Sequence, residues 1–474
     1  MKLKSVKAFG IGIAVLFFIL FTAGCATYYR KTQQFQDYVM QGQIEQASEW
    51  LDNNNRMQRG INRLLYLLND GWVHWMLNDY SLSNQRLNEA DYMIEDLQKN
   101  LALEGLALFT NPAVKPYRPE DFEMVFVNYY KALNYLNLGQ YEDALVECRR
   151  MNIILYQLND KYKERKNRYS DDAFAHVLIG LIYEAGNDPN NAFIAYRNAL
   201  ETYRKVYSEN FGVSAPDQLK VDLLRTARQM GFYDELRQYE DEFGMRYKPV
   251  ENPGGGDLVV IWHNGYGPVK AEWSINFSIL RGEGGWVTFV NEEMGLSIPF
   301  YIGDFSKEEQ TSFSDLSIVR IAFPKYVERK PVFTAAAVKA NGESHTLELA
   351  EDVNAIAFKT LKDRMLRELS NSLLRFAVKR ATEEAARREN KDVGAAISII
   401  NALTEKADTR NWQTLPYSIS YTRISLPAGT HQLTLETNSN GNTQSHTFSV
   451  EIQPGQTSFY TYRSLETHAP SVNY

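Results

Sequence analysis

The chain has 474 residues, 44% of them hydrophobic and 23% charged, with two cysteines and a formal net charge of −7. At roughly 100–200 residues per domain this length allows two to four domains, each able to bury its own core. The apolar content excludes a disordered chain, two cysteines exclude a disulfide-stapled scaffold, and the acidic balance argues against a nucleic-acid partner, which calls for a basic face.

Residues 1–24 read as an address rather than as part of the fold. Lys2, Lys4 and Lys7 form a cationic start, and Phe9 to Phe21 run without charge. That run is too short for the ~20 residues of a membrane-spanning helix and suits a signal peptide. It ends Leu20-Phe21-Thr22-Ala23-Gly24-Cys25. Small residues before a cysteine, straight after an apolar run, resemble the lipobox of bacterial lipoproteins, although Thr22 stands where Leu is usual. The resemblance implies cleavage before Cys25 and acyl chains on its sulfur and new amino group, with the membrane as partner through this lipid anchor. Residue 26 is Ala and not the Asp associated with inner-membrane retention, so the implied address is the outer membrane, with the body on the periplasmic side. Cys148, the only other cysteine, then has no disulfide partner.

From Tyr28 to about Gly244 apolar residues recur three and four apart with few prolines, which predicts a helical domain over 25–250. Phe174 to Tyr183, an Asn-rich turn, then Ala192, Tyr196 and Ala199 have the spacing of a tetratricopeptide (TPR) repeat. In that motif a small residue on the first helix faces another twelve positions later on the second. Gly180 and Ala192 stand in that relation. Ala132, Tyr135, Gly139, Tyr141 and Ala144 give a second unit with Gly139 at the turn, and Gly71, Tyr80, Ser83, Leu87 and Ala90 a weaker third. Around Gly42, Ala47 and Leu51, and around Gly231, Tyr233 and Leu236, only the turn and second helix are recognisable. The expected repeat-packing positions are therefore Ala132, Gly139, Ala144, Gly180, Tyr183, Ala192, Tyr196 and Ala199 in an irregular TPR-like array, whose concave face is expected to hold a protein partner. Asn111 to Glu123 contains three prolines, Pro112, Pro116 and Pro119, which preclude helix there. Tyr117, Arg118 and Phe122 are its candidate partner-binding residues, and Asp121 is the expected cap of the next helix. Cys148 reads as a small core residue. His74 and His176 lack a second ligand at i+4 and do not read as metal ligands.

Asn252-Pro-Gly-Gly-Gly256 is the expected boundary, a linker over 251–257. Beyond it the apolar period becomes two. Strands are predicted at Leu258–Trp262, Ala271–Leu280, Trp286–Val290 after a Gly284-Gly285 turn, Leu316–Phe323, Val332–Lys339 and Glu343–Leu349, the last two around an Asn341-Gly342 hairpin. This gives a β-rich, sandwich-like domain over 258–350. A helical segment over 351–408 follows: a long helix from Val353 to Arg388, with Phe358, Leu361, Met365, Leu369, Leu373 and Phe376 as its apolar stripe, then a shorter one from Asp392 to Ala407. The stripe is expected to pack on the preceding sheet. Four more strands within 409–466 resemble the small PEGA-like or transthyretin-like β-domains of envelope proteins. The fold class is thus α+β multidomain, an N-terminal all-α TPR-like array followed by a β-rich region that a long amphipathic helix interrupts.

The sequence carries no His-Glu-x-x-His, Gly-x-Ser-x-Gly, Walker lysine loop or Cys-x-x-Cys motif. His263-Asn264-Gly265 reads as a turn, and Glu292, Glu293 and Asp304 are too common in kind to assign as a glycan-hydrolysing pair. No catalytic residue, cofactor or metal is expected. Tyr117–Glu123, Lys131–Leu136, Val146–Arg150 and Ala407–Pro416 together resemble an uncharacterised Gram-negative outer-membrane lipoprotein family with TPR-like repeats, over most of the mature chain. Its genes often accompany small lipoproteins that activate peptidoglycan synthases, which implies work in envelope assembly. The expectation is a scaffold whose helical half grips an envelope protein and whose β half docks a second partner or peptidoglycan. The alternative is a glycan-binding or glycan-processing β-domain on a helical spacer.

Overall fold

A computed structural model describes residues 27–101, 112–161, 169, 171–249, 254–281, 286–301, 318–389, 406–439 and 441–471. Cys25, the Gly284-Gly285 turn, Asp304 and nearly all of the helix expected at 392–407 lie outside them.

Among the described residues, ten helices form five consecutive antiparallel pairs: α1 (Gln33–Met40) with α2 (Ile44–Asp52), α3 (Arg63–Met76) with α4 (Tyr80–Leu101), α5 (Asp121–Asn137) with α6 (Tyr141–Lys161), α7 (Ala173–Ala185) with α8 (Pro189–Thr202), and α9 (Asp217–Gln229) with α10 (Tyr233–Phe243). All five turns are built alike. The second residue after the first helix is left-handed, and it is Gly42, Asn78, Gly139, Asn187 or Gly231, with φ of 73°, 59°, 71°, 58° and 70°. Only glycine and asparagine enter that region readily. At the third turn, Gly139 N donates to Leu136 O (3.0 Å) and Gln140 N to Tyr135 O (2.8 Å). The other four repeat this pattern, a Schellman closure that satisfies the last carbonyls of the first helix. α5 is capped by Glu120, not Asp121, in a capping box with Glu123.

Among the described residues, twelve strands form three four-stranded sheets. The two expected β domains are in fact one structure. β1 (Gly256–Asn264), which begins inside the expected linker, pairs in parallel with β12 (Thr457–Ser464) and antiparallel with β9 (Ser418–Leu426), whose other edge takes β8 (Glu348–Asp352). β10 (Gly429–Ser439), besides its hairpin partner β11 (Asn442–Ile452), pairs with β6 (Ala335–Ala340), which carries β7 (Glu343–Thr346). Each segment thus pairs strand edges that the other would leave open, so 409–466 is not a separate domain.

These two sheets make a sandwich. Leu258, Val260 and Trp262 of β1 pack with Ile424, Leu426, Val338, Leu433 and Leu435 between them. Val259 and Ile261 point the other way, into the core shared with the helices. A strand buried on both faces reads as an unbroken apolar run, as Leu258 to Trp262 does. In the third sheet, β2 (Val269–Arg281) lies between β5 (Ile318–Val327) and β3 (Trp286–Asn291), and β4 (Leu296–Tyr301) closes the edge. β4 has no counterpart among the predicted strands. Pro299 masks its alternation, yet an edge strand tolerates proline. One face of this sheet carries Ile275, Phe277, Phe289 and Ile321 into the core, and α11 (Val353–Glu389) packs there, with Phe376 6.2 Å from Phe289 and Phe358 5.8 Å from Tyr326 between ring centroids.

Candidate functional site

The face of the array formed by its first helices is the expected groove, and the central sheet β12-β1-β9-β8 fills it. The Trp75 ring of α3 stacks on His263 of β1 at 5.4 Å, and the Tyr129 hydroxyl of α5 lies 2.7 Å from His263 Nε2. Burial, then the Arg463 charge, pushes His263 well below its ordinary value, so it is neutral. Arg463 of β12 lies over the Trp72 and Tyr266 rings, 4.9 and 4.6 Å from their centroids, and its Nη1 is 3.3 Å from the Tyr130 hydroxyl. Tyr203, in a short π-helical turn after α8, donates to Ala350 O at 2.8 Å. The concave face is therefore not available to a partner, and α5 has fourteen of its seventeen residues buried because it packs on both sides.

Three charged clusters join the array to the rest of the fold. Arg423 of β9 donates to Glu184 (2.6 Å) and Asp257 (3.0 Å) and lies 3.2 Å from Asp222, while Arg225 of α9 binds Glu184 at 2.6 Å and Asp222 at 2.9 Å. Burial opposes ionisation of Glu184, but the two arginines overcome it and hold its carboxyl below the usual range. At the start of α5, Glu120 is bonded by Lys270 of β2 and by Arg364 of α11, which hold it low against its burial. Beside it, burial and then the Glu120 charge push Glu123 up. The third cluster has no cation across the seam. Tyr207 donates to Glu351 of β8 at 3.0 Å, with Asp172 3.3 Å from the same hydroxyl. Burial, then Asp172, pushes Glu351 well above the ordinary carboxylate range.

The structure also locates the residues singled out in the sequence. Ala132, Ala144, Ala192, Tyr196 and Ala199 are buried, Gly139 is the left-handed turn residue, and Tyr183 is half-buried and accepts from Arg149 at 3.2 Å. A Cβ on Gly180 would overlap the Tyr196 ring, and one on Gly71 would come within 2.8 Å of Leu87. Leu87 and Tyr196 each stand sixteen places after the glycine they cover. Cys148 stands at the corresponding position of the second unit, sixteen after Ala132. Cys148 is fully buried and its thiol is pushed up by burial. Tyr117 and Phe122 are 1% and 2% exposed. Tyr117 bonds the Glu123 carboxylate and lies under Arg410, whose guanidinium carbon is 5.7 Å from the ring centroid, so this stretch seals the seam and does not form a recognition loop. Arg118 alone of the three is exposed. His263 and Asn264 are buried in β1, with Gly265 at the turn, and Glu292 and Glu293 are exposed in the β3–β4 turn.

One apolar surface does face water. On the outer face of the third sheet, Leu280, Trp286, Tyr301 and Ile318 are 55%, 47%, 56% and 59% exposed. Trp286 and Tyr301 are cross-strand partners with ring centroids 5.6 Å apart. The outer face of β11-β10-β6-β7 is different in kind: Thr434, Glu436, Thr447 and Lys339 stand there, with Lys339 paired to Glu436 at 2.6 Å. Among the described residues, no group of three or more His, Cys, Asp or Glu side chains could hold a metal ion, and no helix is long and apolar enough to cross a membrane.

No family model matches the chain, and no curated protein matches it. Among solved structures it is similar to the apo form of RapI, at 13% identity and a TM-score of 0.33 over 45% of this chain and 68% of that one. A tetratricopeptide repeat protein from Parabacteroides merdae matches at 16% identity and a TM-score of 0.29, over 45% of this chain and 65% of its own length. MamA matches at 13% identity and a TM-score of 0.27, over 46% of this chain and 96% of its own. These likenesses are loose, and the TPR-like character of the array rests on its own five turns and the glycine packing.

Proposed function

We propose that the protein is a lipid-anchored scaffold of the bacterial cell envelope, on the periplasmic side of the outer membrane, that binds an envelope protein through the outer face of its β4-β3-β2-β5 sheet. The observation that carries this reading is the Trp286–Tyr301 pair with Leu280 and Ile318 in water, beside an equivalent sheet face that is polar. Exposed apolar patches with large rings mark interaction surfaces, and Trp and Tyr are enriched where binding energy concentrates. The helical array serves here as a rigid cradle for the central sheet.

The test is photocrosslinking in intact cells from probes placed at Trp286 and Tyr301, with Thr434 as the control. A discrete protein adduct from the first two positions and none from the third supports the assignment; identical patterns from all three would overturn it. The same rings suit stacking on a sugar, so peptidoglycan is the second reading. Co-sedimentation of the Cys25→Ala protein with purified peptidoglycan, abolished by Trp286→Ser, would favour that reading instead. For the anchor, Cys25→Ala is expected to release the protein from the membrane fraction.

A further inference from the structure

We propose that the face of the fold around its first described residues lies flat on the anionic phospholipid surface that holds the anchor, so that the protein is oriented by its own surface and not hung from a flexible tether. This rests on the lipid-anchor reading of Cys25 and goes beyond it. The fold is fixed from its first turn of helix. Thr27 caps that turn, its side chain accepting from Arg30 N, and the buried Tyr28 donates its backbone N–H to Thr409 Oγ1 at 2.9 Å. Only Ala26 stands between Thr27 and Cys25. Two residues reach about 7 Å when fully extended, which is within the Debye length of about 8 Å at physiological salt. Whatever surrounds Thr27 therefore sits within electrostatic reach of the headgroups.

Arg410 gathers what surrounds it. This buried guanidinium donates to Ile61 O and Lys115 O at 3.0 Å each and to Asp408 at 2.7 Å, and Tyr117 N donates to the same Ile61 carbonyl at 2.9 Å. Four chain stretches, 27–31, 59–61, 113–118 and 406–410, thus converge on one place. They hold seven Lys and Arg residues, in a chain whose net charge is −7. Arg30, Lys31, Arg59, Arg118 and Lys406 are exposed, and with them Ile61 (39%) and Val114 (56%). Basic side chains around a few exposed aliphatic ones fit an anionic bilayer surface, the cations against the phosphates and the aliphatics at the headgroup boundary.

The test uses the native lipoprotein in vesicles of phosphatidylethanolamine and phosphatidylglycerol, carrying an environment-sensitive fluorophore on Val114→Cys or, as control, on Thr430→Cys. Thr430 is exposed at the far end of the sandwich, beside the start of β1, and Cys148 is buried and does not compete for label. With the protein floating on the vesicles, the probe at 114 should shift to the blue and be quenched at least twofold by spin-labelled lipid, and the probe at 430 should not change. The unanchored Cys25→Ala protein should bind phosphatidylglycerol vesicles weakly and in a salt-sensitive way, and Arg30→Glu with Arg118→Glu and Lys406→Glu should weaken that binding at least tenfold. Flotation without quenching at 114, or with equal quenching at both positions, overturns the oriented face and leaves the anchor standing. Failure of the wild-type protein to float overturns the anchor reading and this proposal together.

Discussion

Arg423, Glu184, Asp222 and Glu351 are buried in the seam between helices and central sheet, whereas Leu280, Trp286, Tyr301 and Ile318 stand in water on the outer sheet. The first group is charged and inside, the second apolar and outside, which reverses the ordinary sorting of side chains. Each inversion has its own reason. Arg423, Lys270 and Arg364 find carboxylates of the helical array, so the ions specify one way for sheets and helices to dock, and any other docking would strand them. The outer face of the third sheet takes no part in that docking, because the sheet's inner face packs on α11 and Lys270 of β2 makes the ion pair to the array. Its rings contribute nothing to that packing and are explained by contact with something else.

The largest effect expected from breaking this contrast is at Arg423. Arg423→Ala leaves Glu184 and Asp222 sharing Arg225 alone, and removal of one member of a buried ionic cluster costs about 3–5 kcal/mol. Urea unfolding of the unanchored Cys25→Ala protein checks this, and a loss below about 1 kcal/mol would mean that the cluster does not hold the halves together. Gly180→Ala comes next. Its Cβ would push into the Tyr196 ring, whose hydroxyl is fixed by Glu184 at 2.6 Å, so the ring has little freedom to yield. Overpacking of this kind costs about 1–3 kcal/mol, read as a lower denaturation midpoint with unchanged helix content.

Glu351 gives the seam a pH dependence of definite sign. Its ordinary pKa is 4.5, and burial with Asp172 raises it well above that in the folded protein. At pH 4 and below both the folded and unfolded forms are largely protonated and the site costs little. As pH rises past 4.5, the unfolded carboxyl ionises while the folded one retains its proton, so stability declines until the folded pKa is passed. Asp172, Asp352 and the hydroxyls of Tyr207, Tyr203 and Tyr169 face Glu351, and none of these is cationic. Glu351→Gln should therefore raise the unfolding midpoint at pH 7.5 and leave it nearly unchanged at pH 4. An equal shift at both pH values would show that the carboxyl is not the titrating group. A smaller change is expected from Tyr129→Phe, which removes the contact to His263 Nε2 and should cost about 1 kcal/mol.

Local chemistry in the sequence was legible and long-range pairing was not. Gly42, Asn78, Gly139, Asn187 and Gly231 mark five turns because left-handed backbone selects those residues, and Gly180 marks a close helix contact because nothing larger fits. The run Leu258 to Trp262 declares a strand covered on both faces. What escaped was what covers it. Trp72, Trp75, Tyr129 and Tyr130 lie on first helices, and a face of four large rings was itself a sign that the groove is filled, since a peptide groove open to water would carry more polar groups. Arg423 and Arg463 find their partners more than 200 residues away, and no local pattern encodes such a pairing. The outer patch was hidden for a different reason: Trp286 needs Tyr301 beside it to be noticed, and Pro299 concealed the strand that brings Tyr301 there.

The smallest effect on stability, and the sharpest on function, is expected at Trp286. Its ring is half exposed and touches Tyr301 across the β3–β4 pair, and a cross-strand aromatic contact contributes roughly 0.2–1 kcal/mol. Trp286→Ser should therefore shift the unfolding free energy by no more than about 0.5–1 kcal/mol. The same substitution removes the largest apolar group from the exposed face, and interface rings of this kind commonly cost 2 kcal/mol or more on truncation, about a thirtyfold loss of affinity. A variant that folds like the wild type but loses its in-cell crosslink at Tyr301 would separate the two roles. If Trp286→Ser instead unfolded the third sheet, or retained the crosslink undiminished, the exposed rings would be part of the fold's own support, and the contrast with the polar outer face of β11-β10-β6-β7 would lose its functional meaning.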